Sequence, residues 1–507
     1  MAKRRIGYKM IKGPNKSNNY ILQPVLKFIE QYKESGKTRL HMPGHKGAFG
    51  YEDDITEVSG ADSLYTADGI IAESEQETAT LFDARATYYS TEGSSQVIKA
   101  MCFLALKNFY KSVGDGSEMK LKTGEALAHP TIFATRNAHK SFIYASMLLG
   151  FRIKWLIPEG EYALCKCLVS PKGLETAIKE YKEECEKDGF QTNIAGVYIT
   201  SPDYLGNILD VKGLAEVAHK NGLILLCDNA HGSYLKFMEP DIHPITLGVD
   251  LVSDSAHKTL PVLTGGAYLH VSTDAPKGIE EDAKNAMLMF GSTSPSYMIM
   301  ESLDAAPSRI SPEKYRETAE RLGKLKNRLR EIFRERVGDS GPGIYGDEPL
   351  KLCVDMRECE VSAKVLADKL HERNIECEYS DPDFLVTMWT PFNEYPTDYD
   401  RFFEAITEVL LELLNQSEER DSKTKQTIGL KKICYNVPVA LYQPYEMRFV
   451  PHEEVPVSED LIGKVAADSV ISCPPAVSPI VAGEVINEET IKVLKYYGVK
   501  TIEIAKL

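Results

Sequence analysis

Lys258 stands in Ser255-Ala256-His257-Lys258-Thr259, thirty residues after the aspartate of Leu225-Leu226-Cys227-Asp228-Asn229-Ala230-His231-Gly232. An apolar run from Gly222 to Cys227 ends in that carboxylate, as a buried parallel strand does when it presents a side chain at its C-terminal edge. A second run, Val249 to Val252, leads to a serine, a histidine and the lysine. A lysine there can hold a carbonyl as a Schiff base, and a nearby carboxylate can keep a pyridinium nitrogen protonated. Those are the two groups a protein supplies to pyridoxal phosphate (PLP). The pair alone is a weak signal, because most lysines are solvated and strand-end aspartates commonly cap helices.

Other residues have the chemistry to complete such a site. Gly93-Ser94-Ser95 opens a run with helical spacing. Free N–H groups, hydroxyls and the helix dipole together make a phosphate cradle, although a serine cap without a ligand is frequent. Ala230 leaves room at a ring face, and His231 is placed to touch a cofactor or substrate. Thr200 to Gly206 follows a strand-like run and reads equally as a proline turn or a cofactor loop. His41 and His45 have the spacing of a metal pair, but Pro43-Gly44 between them breaks the helix such a pair uses. No metal site is expected.

Five blocks follow one another: His41-Met42-Pro43-Gly44-His45-Lys46-Gly47, Ser90-Thr91-Glu92-Gly93-Ser94-Ser95, Arg136-Asn137-Ala138-His139-Lys140-Ser141, the Asp228 block and the Ser255 block. In this order the chain resembles the ornithine/lysine/arginine decarboxylases of the aspartate-aminotransferase fold (fold type I, group III), most of all their shorter bacterial branch. The resemblance runs from about Tyr20 to the C-terminus. It implies PLP as cofactor, a Schiff base on Lys258, Asp228 on the pyridine nitrogen and His139 stacked on the ring. It further implies phosphate contacts from Gly93, Ser94, Ser95, Ser255 and His257, with His231 close by. Ser292-Thr293-Ser294-Pro295-Ser296-Tyr297 resembles a segment that reaches the neighbouring subunit's phosphate through Thr293 and Ser294. That implies a homodimer or higher homo-oligomer with shared active sites.

Cys473 to Glu484 resembles a family segment whose glutamate, here Glu484, receives a substrate's distal cation. Four positions depart from the usual pattern: Cys473 for Tyr, Ala476 for Gly, Ser478 for Pro and Ala482 for Pro. The implied activity is decarboxylation of arginine, lysine or ornithine. The same lysine, aspartate and phosphate set also serves aminotransferases and lyases, and Arg357 is a candidate for the α-carboxylate contact an aminotransferase needs. A catalytically silent member acting as a partner protein is a second alternative. A metal hydrolase built on Asp228, His231 and His257 is a distant third.

These residues must be positioned by an α/β fold. From Glu75 to about Val271, strand-like runs alternate with amphipathic helices, the pattern of a mainly parallel sheet covered on both faces. The clearest strands are Ala195–Thr200, Gly222–Cys227, Val249–Val252 and Ala267–Val271; Ser95–Tyr110, Gly173–Glu186 and Val211–Asn221 read as helices. The expected organisation is an N-terminal arm and helix (1–40), a large PLP-binding domain (41–310), a smaller α+β domain (311–425) and a C-terminal subdomain (426–507). Pro312 to Arg336 reads as a long surface helix linking the two main domains.

Composition sets the outer limits. The 507 residues are 43% hydrophobic and 26% charged, as in ordinary globular proteins. No apolar run approaches the ~20 residues that span a bilayer, so no membrane partner is expected. The ten cysteines form no disulfide-like framework, which fits reduced thiols in a cytoplasmic protein. Net charge is −15, yet residues 1–40 carry ten Lys/Arg against two Glu. The few aromatics of this basic arm do not alternate with its charges as a stacking surface requires. Packing on a partner subunit is expected of it, and no nucleic acid.

Overall fold

The structure is a computed structural model that describes residues 11–12, 20–113, 129–160, 163–189, 192–337, 341–359, 361–418, 437–468 and 475–507. The basic arm up to residue 10, the charged link 419–425 and Cys473 lie outside these described residues. The chain divides into two compact units, one of residues 1–104 and 232–312, the other of residues 105–231 and 313–507.

Seven strands carry the expected site residues at or near their ends. In chain order they are β1 (Ala86–Ser90), β2 (Thr131–Thr135), β3 (Arg152–Leu156), β4 (Ile194–Thr200), β5 (Leu225–Asp228), β6 (Leu251–Asp254) and β7 (Ala267–Val271). The helices that accompany them are α1 (Pro24–Glu34), α2 (Ile70–Leu81), α3 (Ser94–Val113), α4 (Lys140–Leu149), α5 (Pro171–Lys187), α6 (Val211–Lys220) and the single turn α7 (Ala256–Thr259).

In the second unit β2 pairs in parallel with both β3 and β4, and β4 pairs in parallel with β5. The order is therefore β3-β2-β4-β5, with helices α4, α5 and α6 as the connections. Every residue of β2 and β5, and all of β4 but its last, is buried, as expected of strands covered on both faces. Pro171 sits in the first turn of α5, and Ser170 and Asp210 cap α5 and α6 by accepting from the amides of Gly173 and Gly213. The strand order reverses between β2 and β4. Open α/β sheets bind ligands beyond the carboxyl ends of the strands at such a reversal.

In the first unit β1 and β6 each pair antiparallel with β7. The alternation had placed the β6 and β7 runs in the parallel set. The helix between them is the single turn α7, without the longer crossover helix that usually returns a strand in parallel. The fold class is otherwise the expected one, α/β with a mainly parallel sheet.

The second unit also contains the smaller α+β layer. Strands β8 (Gly343–Tyr345), β9 (Lys351–Asp355), β10 (Tyr379–Ser380) and β11 (Phe384–Met388) form an antiparallel sheet in the order β8-β9-β11-β10. Helix α8 (Tyr297–Arg309), for which the sequence raised no expectation, belongs to the first unit, whereas α9 (Pro312–Val337), α10 (Ala363–His371) and α11 (Thr397–Glu418) follow in the chain order expected. In α11 the apolar residues Phe402, Ile406, Val409 and Leu413 recur at helical spacing and all are buried against Leu352, Val354 and Leu385 of the sheet. Each such side chain contributes about 1.5–3 kcal/mol of burial. The C-terminal part adds an antiparallel pair, β12 (His452–Pro456) with β13 (Thr501–Ala505), and α12 (Glu488–Tyr496), around a core that includes Ile480, Ile486, Ile491 and Ile502. Among the described residues no helix is long and apolar enough to cross a membrane.

Candidate active site

Three of the expected residues lie at carboxyl ends of the second unit's parallel strands. Asp228 is the last residue of β5 and is 3% exposed. Its Oδ2 accepts from the Tyr198 hydroxyl at 3.0 Å, and its Oδ1 from the Ala230 amide at 3.2 Å. Tyr198 comes from the adjacent strand β4 and stacks on Phe142 with ring centroids 4.2 Å apart. The carboxylate is thus both fixed and kept out of bulk water, where its effect on a bound cation is largest. His231, three residues on, is buried and packs edge-on against Tyr204 at 4.6 Å.

His139 follows β2 as the N-cap of α4. Its Nδ1 accepts from the Ser141 amide at 3.1 Å. In the neutral ring the proton therefore sits on Nε2.

Glu484 is also buried in this unit, and its partner is a cation of the same chain. Arg136 Nη2 lies 3.0 Å from Glu484 Oε2, which also accepts from the Val481 amide at 2.7 Å. Arg136 further donates to the carbonyls of Ser478 and Pro479 at 3.0 and 3.2 Å, and its guanidinium lies 4.8 Å from the centre of the Trp155 ring. Burial pushes the Glu484 carboxyl up, and the charge of Arg136 offsets only part of that. Arg136 thus engages one of the two carboxylate oxygens, Oε2.

In the first unit the structure brings the expected phosphate contacts together through one turn. The Gly93 amide donates to the Gly265 carbonyl at 2.7 Å. The neighbouring Gly266 carbonyl accepts from both the His257 amide, at 3.1 Å, and His257 Nδ1, at 3.0 Å. Gly93 has φ +71° and a Cβ there would meet nothing within 4 Å, so the turn into α3 leaves open space in front of Ser94. The Ser255 hydroxyl is buried and has no hydrogen-bond partner among the described residues. An orphaned buried hydroxyl beside a helix N-terminus is what an absent anion would satisfy. These residues fit the phosphate of PLP, as Asp228 fits its ring nitrogen. Lys258 is partly exposed on α7, and its amide is held by the Ser255 carbonyl at 3.0 Å. Thr293 and Ser294 are exposed; the Ser292 amide beside them donates to Glu92 Oε1 at 2.7 Å.

Sequence reasoning missed the Gly265-Gly266 turn and a buried polar group next to Ser255. Asp254, the last residue of β6, has its Oδ2 3.0 Å from His243 Nε2 and 3.4 Å from His270 Nε2, and all three side chains are fully buried. These atoms have the spacing of a metal site. However, His243 Nδ1 accepts from the Ile245 amide at 3.2 Å. Nε2 then carries the ring proton and donates to Asp254, which describes a hydrogen-bond network. The signal available in the sequence was period two: His270 and Tyr268 alternate on β7, across from β6.

The chain belongs to the Orn/Lys/Arg decarboxylase family: the family's major domain matches residues 23–340. It is similar to the uncharacterized protein YaaO of Bacillus subtilis (strain 168), 26% identical with 93% of each chain covered. It is also similar to the arginine decarboxylase of Bacillus subtilis (strain 168), 25% identical with 92% of each chain covered. Among solved structures it shares the fold of the constitutive lysine decarboxylase of E. coli, with a TM-score of 0.72 at 19% identity, covering 96% of this chain and 82% of that one.

Proposed function

We propose that this protein is a PLP-dependent decarboxylase of a basic amino acid, arginine, lysine or ornithine, which it converts to the amine and carbon dioxide. The observation that supports this most is Asp228, buried at the end of a parallel strand and oriented by Tyr198. When bound, PLP supplies an electron sink for the carbon that loses carbon dioxide. The residues of the chain do the rest. Lys258 Nζ would hold the cofactor. Gly93, Ser94, Ser95, Ser255 and His257 bind its phosphate. Asp228 holds the proton on its ring nitrogen, and the neutral carboxamide of an asparagine could not. His139 would stack on the ring.

The family resemblance further supports a homodimer or higher homo-oligomer in which Thr293 and Ser294 complete a neighbour's phosphate site. A cytoplasmic setting is supported by the cysteines: eight among the described residues are free, and seven of those are buried. The aminotransferase reading loses support from Arg357. Its Nε and Nη2 both donate to Asp355, at 2.9 and 2.6 Å, so the guanidinium is already engaged by a carboxylate.

The test is carbon dioxide release across a panel of amino acids with PLP added, together with borohydride reduction and peptide mapping. Release from a basic amino acid, with a pyridoxyl group on Lys258, is expected. Label on Lys140 or Lys46 would reassign the cofactor lysine. Transamination of a neutral or acidic amino acid, with none of the three basic ones accepted, would replace the reaction class.

A further inference from the structure

Reading a basic side chain requires a carboxylate that is not already neutralised. Glu484 is held by Arg136, so its charge is compensated within the chain. A second glutamate of the same unit stands on a short path from His231. The His231 ring packs on Tyr204, and the Tyr204 hydroxyl donates to Glu378 Oε1 at 2.6 Å. Tyr204 lies in the loop that follows β4, and His231 in the loop that follows β5, so both occupy the carboxyl-end side of the parallel strands. Glu378 immediately precedes β10.

The surroundings suit a cation. The rings of Tyr204 and Tyr379 meet edge-on, 5.1 Å between centroids, and aromatic faces beside a carboxylate attract ammonium and guanidinium groups alike. The Tyr204 face already has Lys351 Nζ at 5.9 Å, but that ammonium is paired with Glu348 at 2.7 Å and is fully buried. Glu378 is exposed, and no cation pairs with it among the described residues. It also lines, with Asp368, His371 and Glu376, a cavity of about 320 Å³ formed by residues of α10 and of the segment leading into β10. Exposed glutamates are ordinarily just solvated. What distinguishes this one is the hydrogen bond from a tyrosine that packs on a histidine three residues from Asp228.

We propose that Glu378, oriented by Tyr204, is the specificity-determining carboxylate that pairs with the distal cation of the substrate. This rests on the reading of the protein as a decarboxylase of a basic amino acid.

The experiment compares wild type, Glu378→Gln and Tyr204→Phe, each loaded with cofactor. The substrates are the accepted basic amino acid and its uncharged counterpart: citrulline for arginine, norleucine for lysine, norvaline for ornithine. In Glu378→Gln, kcat/KM for the basic substrate should fall about 30-fold, mainly through KM, as expected for a lost charge-assisted contact. The value for the uncharged counterpart should not change, so the ratio collapses. Tyr204→Phe, which keeps the ring, should shift the same ratio in the same direction but less. A parallel titration of the product amine by calorimetry should show weaker binding to Glu378→Gln, about tenfold. An unchanged ratio, or an equal fall for both substrates, would overturn the assignment. If wild type decarboxylates none of the three amino acids, the functional reading fails by itself. The calorimetry with agmatine, cadaverine and putrescine then decides Glu378, and equal amine affinity in wild type and variant overturns it.

Discussion

Arg136 and Glu484 form a buried ion pair of 3.0 Å between positions 348 residues apart in the chain. Arg136 directly follows β2 and precedes His139 by three residues, so the pair ties the C-terminal part to the loop that presents the candidate stacking histidine. Breaking a buried pair by removing one partner leaves an uncompensated charge. Arg136→Met alone should therefore destabilise the protein by about 3–5 kcal/mol, and the double variant Arg136→Met with Glu484→Leu by much less. Denaturant unfolding of the three proteins measures this. A loss below about 1 kcal/mol in the single variant would mean that water already reaches the pair.

Ala476 has φ +55°, in the left-handed region that costs a residue with a Cβ on the order of 1 kcal/mol. Its carbonyl accepts from the Lys140 amide at 2.9 Å, so the conformation is held in place. Ala476→Gly should raise stability by up to about 0.5 kcal/mol, the relief of strain less the entropy glycine loses on folding. Urea midpoints of the two proteins check the sign.

Asp228→Asn should lower turnover at least ~100-fold while PLP still binds weakly, the size seen when a preorganised electrostatic partner is lost. Tyr198→Phe removes one neutral donor to that carboxylate. It should cost about 1 kcal/mol, or roughly fivefold. Turnover with the cofactor's absorbance recorded alongside separates lost chemistry from lost binding. Near-normal activity in Asp228→Asn would make the aspartate a strand cap.

Burial lowers the His270 pKa, and the hydrogen bond and charge of Asp254 recover only part of it. The folded state thus takes up a proton on this ring less readily than the unfolded chain, which does so below about pH 6.5. Below that pH the unfolded state binds more protons, so stability falls as pH falls, by up to ~1.4 kcal/mol per pH unit from this group. Above about pH 6.5 the term vanishes. His270→Gln should flatten the stability profile just below about pH 6.5. A variant profile parallel to that of wild type would show that another group carries the acid sensitivity.

The strands β4, β5 and β7 and the helices α3, α5, α6, α9 and α11 were legible in the sequence because each has a long apolar run or a sustained helical period. Limits shifted where periodicity is silent. The β5 run began at Gly222 in sequence, but Gly222 has φ +72° and belongs to the turn, so the strand starts at Leu225. The antiparallel β6–β7 pair was not legible, since parallel and antiparallel buried strands carry the same apolar pattern. In the site, the blocks around Asp228 and Ser255 were readable as motifs. The partners Tyr198, Gly265 and Gly266 were not, because they act through a strand neighbour or a backbone carbonyl and leave no local pattern.

Arg136 and Lys140 reach the segment 476–479 through carbonyl oxygens, and Glu484 takes the Val481 amide. Gly483 is fixed by space: a Cβ there would lie 2.1 Å from the Tyr442 carbonyl. The side chains of Ala476, Ser478 and Ala482 are buried as well, so the stretch is held by its main chain and by close packing together. A change of volume anywhere in it would be felt, through Arg136 and Lys140, at the loop that presents His139.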